Sequence, residues 1–187
     1  TVAIGVQTKA TGNNALAVGS TAQAIGASSA AFGTQAVANG LGATAFGPGA
    51  SAGDGGTAAD GSTAVGRKAT VTAEGGTGLG WATTVSAKDG TAIGHSATAS
   101  IAGGVAIGSD SVTTAAAGVQ GYNPADSRTN KYSDQAGAIG TSTLAAVSVG
   151  NGLTATRQIT GLAAGTADTD AVNVAQLKNV NLKYAGD

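Results

Sequence analysis

The chain of 187 residues contains 32 glycines, is 42% hydrophobic but only 3% aromatic and 10% charged, and has a formal net charge of −1. So few large side chains cannot fill an ordinary layered core, and so large a hydrophobic share argues against disorder. Nine scattered basic residues supply no focused field for nucleic acid or an anionic membrane, and the lack of cysteine excludes disulfides and thiolate metal sites.

Glycine sets the organising period from the first residues onward. Gly5, Gly19, Gly33, Gly47 and Gly61 stand 14 residues apart, with Gly12, Gly26 and Gly40 at half-period. After Gly61 the phase slips by five residues and the spacing resumes at Gly66, Gly80, Gly94 and Gly108. The preceding residue is apolar in Ile4, Val18, Phe32, Phe46, Val65, Leu79, Ile93 and Ile107, with Asp60 the exception. One position earlier stands alanine, as in Ala17, Ala31, Ala45, Ala64, Ala92 and Ala106. This alternation has the period of a strand.

At about 3.3 Å per residue, one period makes two strands of roughly five residues and two tight turns, which is one coil of a β-solenoid. Glycine then occupies turn positions that need positive φ or close backbone approach. Residues 1–112 are expected to stack as such 14-residue coils, with the apolar residues in one column. The slip between Gly61 and Gly66 calls for a bulge or altered turn, helped by the loop Gly53-Asp54-Gly55-Gly56.

Residues 113–137 interrupt the period with Gly121-Tyr122-Asn123-Pro124, Asp126, Arg128, Lys131 and Asp134, and are expected to project as an insert. Residues 138–150 recover the apolar-glycine signature as a last coil, in Ala138-Ile139-Gly140 and Ser148-Val149-Gly150. Asp168-Thr169-Asp170 then offers helix N-caps and predicts a helix from about 170. Two seams fit it: Val174, Leu177, Asn181 and Tyr184, or Asn173, Leu177, Val180 and Tyr184. A helix this short and a solenoid this thin both need cover, so association of identical chains is expected.

His95 is the single histidine, which leaves a metal cluster or proton relay within one chain without its second member. It falls one residue after a repeat glycine, in the same column as Arg67, Trp81 and Ser109. Trp81 is therefore expected to stack on Arg67 or His95 from adjacent coils, and as an exposed aromatic it is also a candidate anchor for a partner. Trp81, His95, Tyr122 and Tyr132 are the candidate ligand contacts, with local packing the favoured alternative for each. No nucleotide-loop spacing, calcium repeat or nucleophile triad accompanies them, so no enzyme activity, cofactor or metal is expected.

The segments Ala92-Ile93-Gly94-His95-Ser96 and Val105-Ala106-Ile107-Gly108-Ser109 resemble the head repeats of YadA-like trimeric autotransporter adhesins. Ile159-Thr160-Gly161-Leu162-Ala163-Ala164-Gly165, followed by Thr169-Asp170-Ala171-Val172-Asn173-Val174-Ala175-Gln176-Leu177, resembles the neck that joins head to stalk in that family. The resemblance implies an all-β fold: a trimer of left-handed parallel β-rolls with a head insert. It also implies a neck over 151–169 and, over 170–187, the neck helix and start of a trimeric coiled coil. Ile159, Leu162, Val172, Val174 and Leu177 would form the trimer neck.

The resemblance further implies a non-catalytic adhesin head on the Gram-negative cell surface, a homotrimer held by an outer-membrane anchor beyond this segment. It would attach to host cells or extracellular matrix and bind no nucleic acid. Family heads that bind collagen carry Asn-Ser-Val before Ala-Ile-Gly, whereas here only Val105 matches, after Gly103 and Gly104. The alternatives are a surface-fibre spacer with no ligand of its own and an ice-binding β-solenoid. The latter would show a doubled threonine ladder, of which Thr70 and Thr72 form one pair that Thr83, Thr98 and Thr113 do not extend.

Overall fold

The computed structural model describes residues 1–53, 59–121 and 140–184, the last four without their side chains. They fall into two units: Thr1–Gly118 with Thr143–Thr156, and Val119–Ser142 with Arg157–Asp187.

The first unit is a parallel β-solenoid. Each coil contributes a strand of three residues, such as Leu16–Val18, Ala30–Phe32 or Thr91–Ile93, and one of two residues, such as Gln23–Ala24 or Thr84–Val85. The three-residue strands, together with the two-residue Val147–Ser148, form a nine-stranded sheet, and the other two-residue strands a seven-stranded sheet. Both strands are shorter than the expected five residues, because reversing twice around so thin a core commits most of each coil to turns.

Successive coils pair one period apart, Ala17 with Ala31 and Thr84 with Thr98. The phase changes once, where Thr44 pairs with Thr63 and Ser51 with Thr70. Gly66 thus takes the place of Gly47, its N–H donating to Phe46 O at 2.8 Å, while Gly61 takes that of Gly42, with φ 64° against 65°. The slip therefore lies between Gly53 and Ala59 rather than between Gly61 and Gly66. Gly61 belongs to the opposite turn, and its spacing from Gly47 is a coincidence created by five extra residues. Those residues, including Asp54, Gly55 and Gly56, lie outside the described set.

The core is almost wholly methyl groups. Ala17, Ala31, Ala45, Ala64, Ala92 and Ala106 from the long sheet meet Ala24, Ala38, Ala52 and Ala99 from the short one, all fully buried. Val71 and Val85 are the larger apolar side chains among the buried described residues, and glycine faces them. A Cβ on Gly76 would stand 2.7 Å from Val71 Cγ1 and 2.9 Å from Val85 Cγ1, and one on Gly78 would stand 3.0 Å from Val71 Cγ2. Added volume on one sheet is matched by its removal on the other, as close packing requires.

The turns explain the glycine period. Gly80 has φ 139°, and a Cβ there would lie 2.7 Å from the Gly94 carbonyl oxygen of the next coil. Two residues further on, the left-handed position is held by Gln7, Thr21, Gln35, Lys68, Ala82, Ser96 and Asp110 at φ 54 to 60°. Such conformations are unfavourable singly for most of these residue types, and the stacked coils impose them together.

Val112 bridges to Thr98, and Thr113 stays inside the stack, its Oγ1 accepting the N–H groups of Ser100 and Ile101 at 3.0 and 3.2 Å. Val105 and Ala106 then pair with Val147 and Ser148, so the sheet resumes after the intervening chain. In the second unit, Gln120 and Thr141 form an antiparallel bridge, with Gly121 N–H donating to Gly140 O at 2.7 Å. Tyr122 and Tyr132, in the intervening sequence, lie outside the described residues.

The helix of the second unit runs Val174–Tyr184, starting four residues later than the sequence reading placed it. Asp170 is not its cap. Its Oδ2 accepts the N–H groups of Thr166 and Ala167 at 2.9 and 3.0 Å, closing the preceding turn instead.

Candidate functional site

Three features of the described residues carry functional weight: a side-chain ladder on one turn, an apolar column on the long sheet, and the tied loop before the helix.

The ladder occupies the residue after the turn glycine on three successive coils. The Arg67 guanidinium carbon lies 4.4 Å from the Trp81 ring centroid, and the Trp81 and His95 rings are 4.5 Å apart and tilted by 40°. These separations follow from the spacing of paired strands, about 4.8 Å. Trp81 is 49% exposed, so the stack stands at the surface. Ser96 Oγ lies 3.3 Å from His95 Nε2, the donor depending on the imidazole tautomer. The stacking expected from the sequence is present on both sides of Trp81 at once.

At the opposite turn the same periodicity sets Lys88 Nζ 3.0 Å from Glu74 Oε2. The carboxylate holds the Lys88 ammonium pKa above its usual value through a hydrogen bond and charge attraction. This pair was legible in the sequence, because its members stand one period apart.

The apolar column lies outside the alanine core. Ile4, Phe46, Leu79, Ile93 and Ile107 are exposed, and Val18, Phe32 and Val65 are half-buried along the same face. Phe32 and Phe46 touch, with ring centroids 5.6 Å apart. A strand puts alternate side chains on opposite faces, so burial of the central alanine turns its neighbours outward. A continuous apolar face of this length on one chain marks an interface.

The expected neck residues Ile159, Val172, Val174 and Leu177 are 58 to 67% exposed and Leu162 is 39% exposed, so a single chain does not gather them into a core. Asn173, expected from the sequence in a helix seam, and Gln176, not singled out there, organise the loop instead. Asn173 Oδ1 accepts the Gln176 N–H at 3.0 Å, and Gln176 Oε1 accepts the Asn173 N–H at 3.2 Å. This reciprocal capping pair was visible as a polar residue and a glutamine three apart. Gln176 also accepts from Gly165 N–H and donates to Gly165 O, both at 3.1 Å, and Asn173 Nδ2 donates to Leu162 O at 3.2 Å. As N-cap, Asn173 is tied into the loop, so the second of the two predicted seams loses its first member.

The hydroxyl row on the short sheet also differs from expectation. Thr83 and Thr113 are buried, and Thr70 aligns with Thr84 and Thr98. Thr70 and Thr72 are thus continued by Thr84 with Ser86 and Thr98 with Ser100, but serine in the second column lacks the methyls of a doubled threonine ladder.

The YadA head domain repeat matches residues 1–22, 24–50, 58–83 and 86–111, and the coiled stalk of trimeric autotransporter adhesin matches 158–185. The chain belongs to the YadA-like trimeric autotransporter adhesin family. Its solenoid is accordingly a YadA-type head, and residues 158–185 correspond to the family's stalk. The collagen-binding domain of the Yersinia adhesin YadA is similar in structure, with a TM-score of 0.60 and 32% identity over 93% of this chain and 86% of that one. The autotransporter adhesin BadA of Bartonella henselae is 54% identical over 63 residues, 32% of this chain and 2% of that protein. A C-terminal YadA-like domain from Burkholderia pseudomallei is also similar, with a TM-score of 0.44 and 32% identity over 59% of this chain and 49% of that one.

Proposed function

We propose that this segment is a non-catalytic adhesive head and neck, that three copies assemble into one fibre, and that the fibre attaches a Gram-negative cell surface to host cells or extracellular matrix. The observation that carries the assembly is the exposed column from Ile4 to Ile107. Covering the exposed part of these eight side chains contributes roughly 5–10 kcal/mol per chain, at 1.5–3 kcal/mol for each fully buried side chain. A YadA-type head repeats this face on every coil, so identical chains can cover one another along its length. Ile159, Leu162, Val172, Val174 and Leu177 are then buried between chains in the neck, and Val174 and Leu177 start the coiled-coil seam.

Attachment follows from family and architecture together: a stacked solenoid supplies length, and three copies supply avidity. Collagen binding by the Yersinia domain makes a matrix protein the first candidate, although this chain lacks the repeated Asn-Ser-Val of collagen-binding heads. Light scattering at several concentrations tests assembly, with about three times the 17.4 kDa chain mass expected. Binding of that trimer to host cells and to immobilised matrix proteins tests attachment. A trimer that binds no cell or matrix protein would identify the segment as a spacer.

A further inference from the structure

We infer that the Arg67–Trp81–His95 ladder is a binding site for an anionic polysaccharide. This inference rests on the adhesive reading above and names a ligand class for it. The two faces of the Trp81 ring point along the stack, toward Arg67 at 4.4 Å and His95 at 4.5 Å. A ligand therefore meets the exposed edge of the ring, not an open aromatic face.

The groups offered to solvent are chiefly donors. Arg67, Lys68 and Trp81 have no side-chain acceptor. Among the described residues neither Arg67 nor Lys68 takes part in an ion pair, in contrast to Lys88, which is held by Glu74. Stacking on Trp81 already orders the Arg67 guanidinium, which lowers the entropy cost of engaging a ligand. Its planar fork suits carboxylate or sulfate groups. Asp110 follows Ser96 by one period and ends the basic stretch on that side.

Spacing selects the polymer. The rungs repeat at about 4.8 Å, whereas an extended peptide advances about 3.3 Å per residue and shows like-facing side chains about 6.6 Å apart. An acidic peptide therefore runs out of step with the ladder. Each pyranose of an extended glycan advances by nearly one coil, so one ring can set its charge against Arg67 and Lys68 while the next two set hydroxyls against Trp81 and His95.

The test is calorimetric titration of the intact trimer with heparin, which carries sulfates and carboxylates, and hyaluronan, which carries carboxylates alone. Poly-L-glutamate and neutral dextran serve as comparisons. At least one anionic glycan should bind, more weakly as salt screens the charges. Arg67→Gln and Trp81→Ala should each weaken binding at least about tenfold, an effect near 1.4 kcal/mol, while Lys88→Gln at the opposite turn leaves it unchanged. Arg67→Gln alters only an exposed side chain, so its unchanged circular dichroism and trimer mass keep the test valid if Trp81→Ala does not fold. Binding unaffected by Arg67→Gln, absence of binding by both glycans, or equally tight binding of poly-L-glutamate would overturn the inference. Cell or matrix attachment that survives Arg67→Gln, with no glycan bound, would remove this site and leave the adhesive head standing.

Discussion

Asn173 and Gln176 each accept the other's backbone N–H, at 3.0 and 3.2 Å, and Gln176 reaches back to both backbone polar groups of Gly165. One pair of side chains thus starts the helix and fixes the loop that precedes it. Replacing Asn173 by alanine should destabilise the second unit by about 0.5–2 kcal/mol. Gln176→Ala should do so to a similar degree and also release the Gly165 loop. Loss of helical signal at 222 nm in thermal melts, with the solenoid transition unchanged, is the expected result.

Gly80 has a φ that side chains rarely adopt and a backbone carbonyl where its Cβ would go. Gly80→Ala should therefore cost at least about 1–3 kcal/mol, because neither the turn nor the next coil can yield without breaking the stack. Urea denaturation against Gly103→Ala, a position with positive φ but open space around it, separates the clash from the backbone strain.

The Val71 and Gly76 pair predicts non-additivity. Gly76→Ala alone should destabilise by about 1–3 kcal/mol through overpacking. Combined with Val71→Ala and Val85→Ala, which recreate the alanine packing of other coils, it should be much better tolerated, with a coupling of about 0.5–3 kcal/mol. Additive costs in denaturation would contradict the volume exchange.

Ile93→Asp places a charge in the exposed apolar column without touching the alanine core. The expected outcome is a lower solution mass at unchanged β content, since the single chain loses no buried contact. An unchanged trimer would mean that the column faces solvent in the assembly.

Backbone N–H groups of Ala167 and Thr166 hold the Asp170 carboxyl below the usual carboxylate range. A carboxyl whose pKa is lower folded than unfolded contributes stability above its unfolded value, near 3.9, and that contribution disappears as pH falls through the folded value. Below about pH 4 the second unit should therefore lose stability more steeply in the wild-type chain than in Asp170→Asn, as followed by helix melting. The Lys88 shift has the opposite sign, so its contribution is present below the ordinary lysine value and fades in strong alkali.

The sequence by itself determined the coil, its period and the stacking of Arg67, Trp81 and His95, because a 14-residue repeat writes local turn chemistry and inter-coil contact into one spacing. It also carried the family resemblance in the repeats around Gly94 and Gly108 and in the segment from Ile159 to Leu177. Tertiary structure alone decided that alanine faces inward and Ile4 to Ile107 outward, since alternation separates two faces without saying which is covered. It also decided that the phase slip precedes Ala59, because Gly61 fits the 14-residue spacing in sequence yet only strand pairing shows which turn it occupies. The helix begins at Val174 rather than near Asp170 for a related reason. Several residues could cap it, and the choice fell to Asn173, whose side chain reaches Leu162 and whose partner Gln176 reaches Gly165, both 11 residues away in the chain.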